Sequence, residues 1–155
     1  MSDSHDNLPL IGRAVELFNR EKVELVLHAG DFVAGFTADR LRKLNAKLVG
    51  VFGNNDGDRR FLLRRFESFA EIFDEHYETE LAGRKIVMMH QPKFLEALAD
   101  SGHYDLIIYG HTHQVDVRQG PCLVLNPGEC GGWLTNRPTV AIVDLDSMTP
   151  SIVSL

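Results

Sequence analysis

Residues 24–31, ELVLHAGD, decide the fold. A short apolar run of strand length breaks at Ala29-Gly30 and delivers an aspartate, Asp31, just past the break. Such a run reads as a buried strand with a carboxylate at its carboxyl end. The arrangement recurs at residues 47–52, KLVGVF, which run into Gly53-Asn54-Asn55-Asp56. Helical segments surround these runs. Asn7 is placed to cap a helix with Pro9 in its first turn, and Ile11, Val15 and Phe18 form its apolar stripe. Residues 38–45 and 59–68 read as further helices. Strand and helix alternating with short connections imply a largely parallel sheet with right-handed crossovers.

The last third changes character. Residues 77–81 and 85–89 flank Ala82-Gly83-Arg84 as a hairpin, and residues 94–101 read as a helix. Residues 105–109, 114–118, 122–126, 139–144 and 151–155 read as strands. The expected architecture is α/β, with two mixed sheets face to face and helices outside, in one domain spanning residues 1–155.

Composition narrows the functional classes. The chain has 155 residues, 44% hydrophobic and 25% charged, close to the average for soluble globular proteins. No apolar run approaches the ~20 residues of a membrane-spanning helix. The opening MSDSHDNLPL lacks the basic and apolar regions of a signal peptide. Two cysteines, Cys122 and Cys130, suit a reducing, cytoplasmic setting better than a disulfide framework. A net charge of −6 argues against a life on nucleic acid, although Arg59, Arg60, Arg64 and Arg65 cluster at helical spacing. That cluster reads as a solvated helix face, with attraction of an anionic substrate as the alternative.

The polar residues carry the chemistry. Asp3 and His5 are one residue apart, so an extended chain points both to one side. Asp31 and Asn54 each follow a strand end and a glycine. His90 closes the strand at residues 85–89, and His111 and His113 follow another strand end after Gly110. In open α/β sheets, ligand sites form at the carboxyl ends of strands. Seven such residues exceed the needs of one metal ion but suit two, if one carboxylate bridges them. Mixed oxygen and imidazole ligands suit Mn²⁺, Fe²⁺, Zn²⁺, Co²⁺ or Ni²⁺, and the lack of thiolates argues against a structural zinc site. Two ions roughly 3.5–4 Å apart clamp a phosphoryl group for in-line displacement.

The ordered motifs Asp3-Ser4-His5, Gly30-Asp31, Gly53-Asn54-Asn55-Asp56, His90 and Gly110-His111-Thr112-His113 resemble those of the calcineurin-like metallophosphoesterases. The length, the third motif and the Asn126-Pro127-Gly128-Glu129 turn look like the small bacterial and archaeal phosphodiesterase subgroup. The resemblance implies a four-layer α-β-β-α sandwich with metals at one edge of the paired sheets. It implies a first metal on Asp3, His5, Asp31 and His113, and a second on Asp31, Asn54, His90 and His111, Mn²⁺ being the leading choice. A hydroxide bridging the ions would attack a small phosphate diester. A phosphomonoesterase and a non-catalytic protein-assembly module, as in the retromer scaffold subunit, are the alternatives. Asn55 and Asp56 are the expected catalytic-loop residues, with His28 and Asp56 placed to orient ligands.

Three departures from the family pattern matter. Many relatives carry a histidine at position 55, where Asn55 offers a hydrogen bond but no useful acid, which favours good leaving groups. Gln91-Pro92 replaces a glycine after His90. Asp3 lies almost at the start of the sequence, so the first central strand is expected to be short or absent. The small size and exposed strands suit a symmetric homodimer.

Overall fold

The computed structural model describes residues 1–155. Helix α1 (Leu8–Arg20) starts where the sequence places it: the Asn7 side chain accepts from Leu10 N at 3.4 Å, and proline occupies the first turn. Its Ile11, Ala14, Val15, Leu17 and Phe18 are buried. Strands β1 (Leu25–His28), β2 (Lys47–Val51) and β3 (Ala70–Phe73) form a parallel sheet in the order β1-β2-β3. A 3-10 turn (Gly35–Thr37) and the short α2 (Ala38–Leu41) connect the first pair, and α3 (Arg59–Phe66) connects the second. Asp58 caps α3, accepting from Phe61 N at 2.9 Å.

The second half forms the opposing sheet. Strands β4 (His76–Leu81), β5 (Arg84–Met89), β6 (Leu106–Ile108), β7 (Val115–Arg118) and β8 (Leu123–Pro127) assemble in the order β4-β5-β6-β8-β7. The central β5, β6 and β8 are parallel, and the outer β4 and β7 are antiparallel. Helix α4 (Leu95–Asp100) joins β5 to β6, and β9 (Thr139–Asp144) and β10 (Thr149–Ser154) form a closing hairpin.

Three apolar cores define four layers. Helices α1 to α3 close over one face of the first sheet through Ile11, Phe18, Leu41, Leu48, Leu62 and Phe66. Between the sheets lie Val49 and Val51 on one side and Ile86, Met88, Leu106, Ile108, Leu123 and Leu125 on the other. Val87, Ile107 and Val124 point the opposite way and pack against α4. The strict alternation within β5, β6 and β8 is the period-two rule at work, and burial on both faces explains their near-continuous apolar sequences. Partly buried Ala141 and Val143 of β9 also pack into the inter-sheet core, which places the β9–β10 hairpin in the first layer of strands.

Residues 1–3 form no assigned strand. They bridge two elements instead: Met1 N donates to Leu27 O at 2.9 Å, Ala29 N to Met1 O at 2.9 Å and Cys130 N to Ser2 O at 2.9 Å. Below this bridge an apolar cavity of about 760 Å³ separates β1 from β9, with Leu25, Leu27, Ala141 and Val143 in its walls. No helix is long and apolar enough to cross a membrane.

Candidate metal centre

Every expected ligand lies at one edge of the paired sheets. Asp31 follows β1, Asn54 follows β2, His90 follows β5, and His111 and His113 follow β6. The strands are parallel, so their carboxyl ends, and the loops leaving them, collect on one side. Asp3 and His5 join this edge because the first residues fold onto the β1 loop, with His5 N donating to Asp31 O at 3.1 Å and Asp6 N to Phe32 O at 3.2 Å.

The local backbone differs from the extended geometry expected for the two X-spaced pairs. Asp3, His5, Asp31, His111 and His113 have φ of 50, 42, 59, 69 and 60°. All five occupy the left-handed region, which non-glycine residues seldom enter. The pairs therefore converge through turns, and not by alternation along a strand.

Asp3, His5, Asp31 and His113 each bring one ligand atom into a group whose members all lie within 4.8 Å of one another. His5 Nε2 lies 3.3 Å from Asp31 Oδ2 and 3.9 Å from Asp3 Oδ1, and His113 Nε2 lies 3.5 Å from Asp3 Oδ1. A second group adjoins it. His90 Nε2 and His111 Nδ1 each lie 2.8 Å from Asn54 Oδ1, and His90 Nε2 is 3.4 Å from Asp31 Oδ2. Asp31 is common to both groups.

The donor chemistry fits cations. His5 Nε2 is the buried side-chain atom left without a hydrogen-bond partner, although it faces carboxylate oxygens. Two imidazole nitrogens turned on one amide oxygen form the sort of convergence that a shared positive centre satisfies. Beside the Asp3 and Asp31 carboxylates, the His5 pKa rises to about 9. Burial disfavours the charged form of His90, yet Asp31 beside it raises its pKa. Burial likewise opposes ionisation of Asp31, but His5, His90 and Asn55 hold its carboxyl far below the usual range.

Buried side chains brace these ligands from behind. Asp56 does not face the cluster; its carboxylate accepts from Gly53 N at 2.7 Å, Val33 N at 2.7 Å and Asp31 N at 3.2 Å. It thereby ties the β1 loop to the β2 loop. Asn55 donates to both oxygens of Asp31 at 2.8 Å, once from its backbone N and once from Nδ2. His28 stacks on Phe32 at 3.8 Å, accepts from Gly30 N through Nδ1 at 3.2 Å, and so presents Nε2–H to Ser4 Oγ at 3.0 Å. Gly53 admits no side chain, because a Cβ there would collide with the Asp31 carboxylate.

Glu129 is the residue that sequence reasoning did not single out. It is fully buried, and its Oε2 lies 2.7 Å from His113 Nδ1. Burial opposes its ionisation, but hydrogen bonds from Thr135 and His113 bring its pKa below the usual glutamate value. The available signal was the Asn126-Pro127-Gly128-Glu129 turn, which the sequence offers as a subgroup feature without a role for its carboxylate.

A cavity of about 420 Å³ opens beside Asn54 and His90, with Arg59, His76, Lys93 and Tyr104 in its walls. The Arg59 guanidinium stacks over Phe52 at 4.8 Å and reaches Asp74 at 3.7 Å, so the arginine is held at the cavity wall.

A four-layer sandwich with an Asp/His/Asn cluster at the strand ends defines a class of metal-dependent phosphoesterases. Residues 1–148 match the calcineurin-like phosphoesterase superfamily domain, and the chain belongs to that superfamily. Phosphodiesterase MJ0936 of Methanocaldococcus jannaschii is 43% identical over 151 residues, spanning 94% of this chain and 91% of its own. Phosphodiesterase YfcE of Escherichia coli is 27% identical over 142 residues, 82% of this chain and 75% of its own. Among solved structures, a novel archaeal phosphodiesterase superposes with a TM-score of 0.94 at 40% identity, covering 100% of this chain and 97% of its own. Vacuolar Protein Sorting 29 from Cryptosporidium parvum shares the fold, with a TM-score of 0.66 at 20% identity and coverage of 100% and 94%.

Proposed function

We propose that this chain is a metal-dependent phosphodiesterase acting on small phosphate diesters. The observation that carries the reading is the pair of ligand groups hinged on Asp31, four residues converging on one side and His90, His111 and Asn54 on the other. In this reading Asp3, His5, Asp31 and His113 hold a first divalent ion, and Asp31, Asn54, His90 and His111 hold a second. Mn²⁺ is the leading choice, with Ni²⁺, Co²⁺, Fe²⁺ and Zn²⁺ compatible with the same donors. A pair of divalent ions supplies a nucleophile at neutral pH and neutralises charge growing on the phosphoryl oxygens.

The chain's own groups do the rest. Asp31 is kept ionised by its neighbours and is therefore ready to serve both sides. Asp56 and His28 hold the ligand loops in register from behind. Asn55 is committed to Asp31, so the leaving group receives no proton from position 55 and good leaving groups are favoured. The cavity beside Asn54 and His90 has room for an ester group, a feature that favours diesters over monoesters. Residues 1–155 act as one domain, and two buried free thiols, Cys122 and Cys130, suit a reducing cytoplasm. A homodimer fits the exposed outer strands.

Bis(p-nitrophenyl) phosphate and p-nitrophenyl phosphate, each offered with Mn²⁺, Ni²⁺, Co²⁺, Fe²⁺ and Zn²⁺, test the proposal. The expected result is metal-dependent turnover with a higher kcat/KM on the diester, abolished by chelation and by His113→Ala or Asp31→Asn in folded protein. Absence of turnover with every ion, or undiminished turnover in both variants, refutes it.

A further inference from the structure

Each of the four clustered histidines has a different support behind it. His90 Nδ1 lies 2.8 Å from the carbonyl oxygen of Ala29, a neutral acceptor. His111 turns Nδ1 itself toward Asn54, and His5 has its Nε2 facing carboxylates without a hydrogen-bond partner. His113 alone is backed by a carboxylate. Glu129 Oε2 sits 2.7 Å from its Nδ1, on a side chain of zero exposure.

An ionised carboxylate is an acceptor only, so His113 Nδ1 carries the proton and donates it. The lone pair is thereby left on Nε2, the nitrogen that faces Asp3 at 3.5 Å. The other oxygen of Glu129 is also occupied. Oε1 accepts from Leu134 N at 3.0 Å and from Thr135 Oγ1 at 2.6 Å. These bonds close the turn after Trp133, whose Nε1 donates to His5 O at 3.1 Å. One buried carboxylate thus ties His113 to the loop at residues 131–137, and Trp133 of that loop reaches His5.

We propose that Glu129 is a positioning residue for the first metal site: it fixes the His113 tautomer, leaving the Nε2 lone pair toward Asp3, and couples occupancy of that site to the loop carrying Trp133. The inference rests on the metal-ligand reading given above. A carboxylate behind a ligating imidazole typically changes metal affinity by roughly 10–100-fold. Glutamine cannot replace it. Whichever way the substituted amide turned, its NH₂ would face either His113 or the donors of residues 134–135. No carboxylate backs the histidines of the second group, where His90 meets only the neutral Ala29 carbonyl, so the effect falls on one site of the two.

The test is Mn²⁺ titration of wild type, Glu129→Gln and Thr135→Val, followed by calorimetry and by fluorescence of Trp133, the only tryptophan in the chain. Wild type binds two ions, and filling the first site shifts Trp133 emission. E129Q weakens one site roughly 10–100-fold and leaves the other in place. T135V disturbs the loop but keeps the His113–Glu129 bond, so it alters the emission and leaves Mn²⁺ affinity near wild type. Nitrogen-15 NMR of histidine-labelled wild type is the check independent of any variant, and it reports an Nδ1–H tautomer for His113. Wild-type affinity at both sites in E129Q, equal loss of affinity in T135V and E129Q, or an Nε2–H tautomer in metal-free wild type overturns the proposal. Failure of wild type to bind any ion overturns the underlying metal reading instead.

Discussion

Asp56 offers the most demanding test of how the ligand loops are held. Its carboxylate is 5% exposed and accepts from three amides on two loops, Gly53 and Val33 at 2.7 Å and Asp31 at 3.2 Å. Replacing it with alanine leaves three N–H groups without their carboxylate partner, two of them at buried bonds. Hydrogen bonds to a charged acceptor contribute about 1.5–3 kcal/mol each. Part of that gain is offset in the native protein, because burial pushes the Asp56 pKa up despite the amide bonds. A net loss of about 2–4 kcal/mol follows for D56A, within the range of broken buried networks and a large share of the ~5–15 kcal/mol of a typical domain.

Urea unfolding of the metal-free protein, read by Trp133 fluorescence and circular dichroism, measures it. Diesterase activity should fall along with stability, because Asp31 and the Gly53–Asn54 turn lose their common anchor. Saturating Mn²⁺ should restore part of the stability in both proteins, by about 2.7 kcal/mol at one hundred times Kd. A D56A protein with a wild-type urea midpoint would refute the bracing role. So would one that is destabilised yet fully active, since the carboxylate would then support the fold and not the site.

Three further outcomes are expected. His5 has a folded pKa of about 9, raised by Asp3 and Asp31 above its ordinary 6.5, so its contribution to metal-free stability is complete below pH 6.5 and lost as pH rises through 9. The stability gap between wild type and His5→Gln should narrow over that window, while Mn²⁺ affinity climbs and calorimetry in buffers of different ionisation enthalpy shows proton release. Gly53→Ala forces a Cβ into the Asp31 carboxylate and should cost on the order of 100-fold in kcat, checked at saturating Mn²⁺. Asn55→His should shift the kcat/KM ratio of an alkyl over an aryl diester toward the poorer leaving group by roughly 10²-fold; an unchanged ratio speaks against any proton donation from that position.

Much of the architecture was legible because its signals are local. Asn7 and Pro9 mark the start of α1, and the apolar runs after residue 84 match β5, β6, β8 and β9 within two residues. Two elements fared worse. Strand β3 was not anticipated: AEIF is four residues long, with Glu71 exposed and no residue fully buried, so neither alternation nor an apolar run announces it. Helix α2 is a single turn, where residues 38–45 suggested two. Its chain leaves the helix at Arg42, beside the Asn19 side chain that holds Lys43 O and Asn45 N.

The convergence of the seven candidate residues was legible for a different reason. Each motif follows a strand end, and parallel strands bring their ends together whatever the loops do. The loops themselves were not legible. The i, i+2 spacing of Asp3 with His5 and of His111 with His113 suggested extended chain, while the actual turns depend on hydrogen bonds from residues far away in sequence, such as His111 N to Asp3 Oδ2 at 3.1 Å. Glu129 was hidden for the same reason, since its partners His113 and Thr135 are identified only by the fold.

Five of the seven candidate ligand positions hold left-handed backbone on residues that have a Cβ. At roughly 1–2 kcal/mol each, such positions together cost as much as a small domain's whole margin of stability. Three well-packed cores offset that cost and hold the loops at the strand ends. The protein thus exchanges thermal robustness for readiness. A chain relieved of catalysis, with glycine substituted for His111, should melt at a higher temperature than the active protein, and the rise would measure what readiness costs.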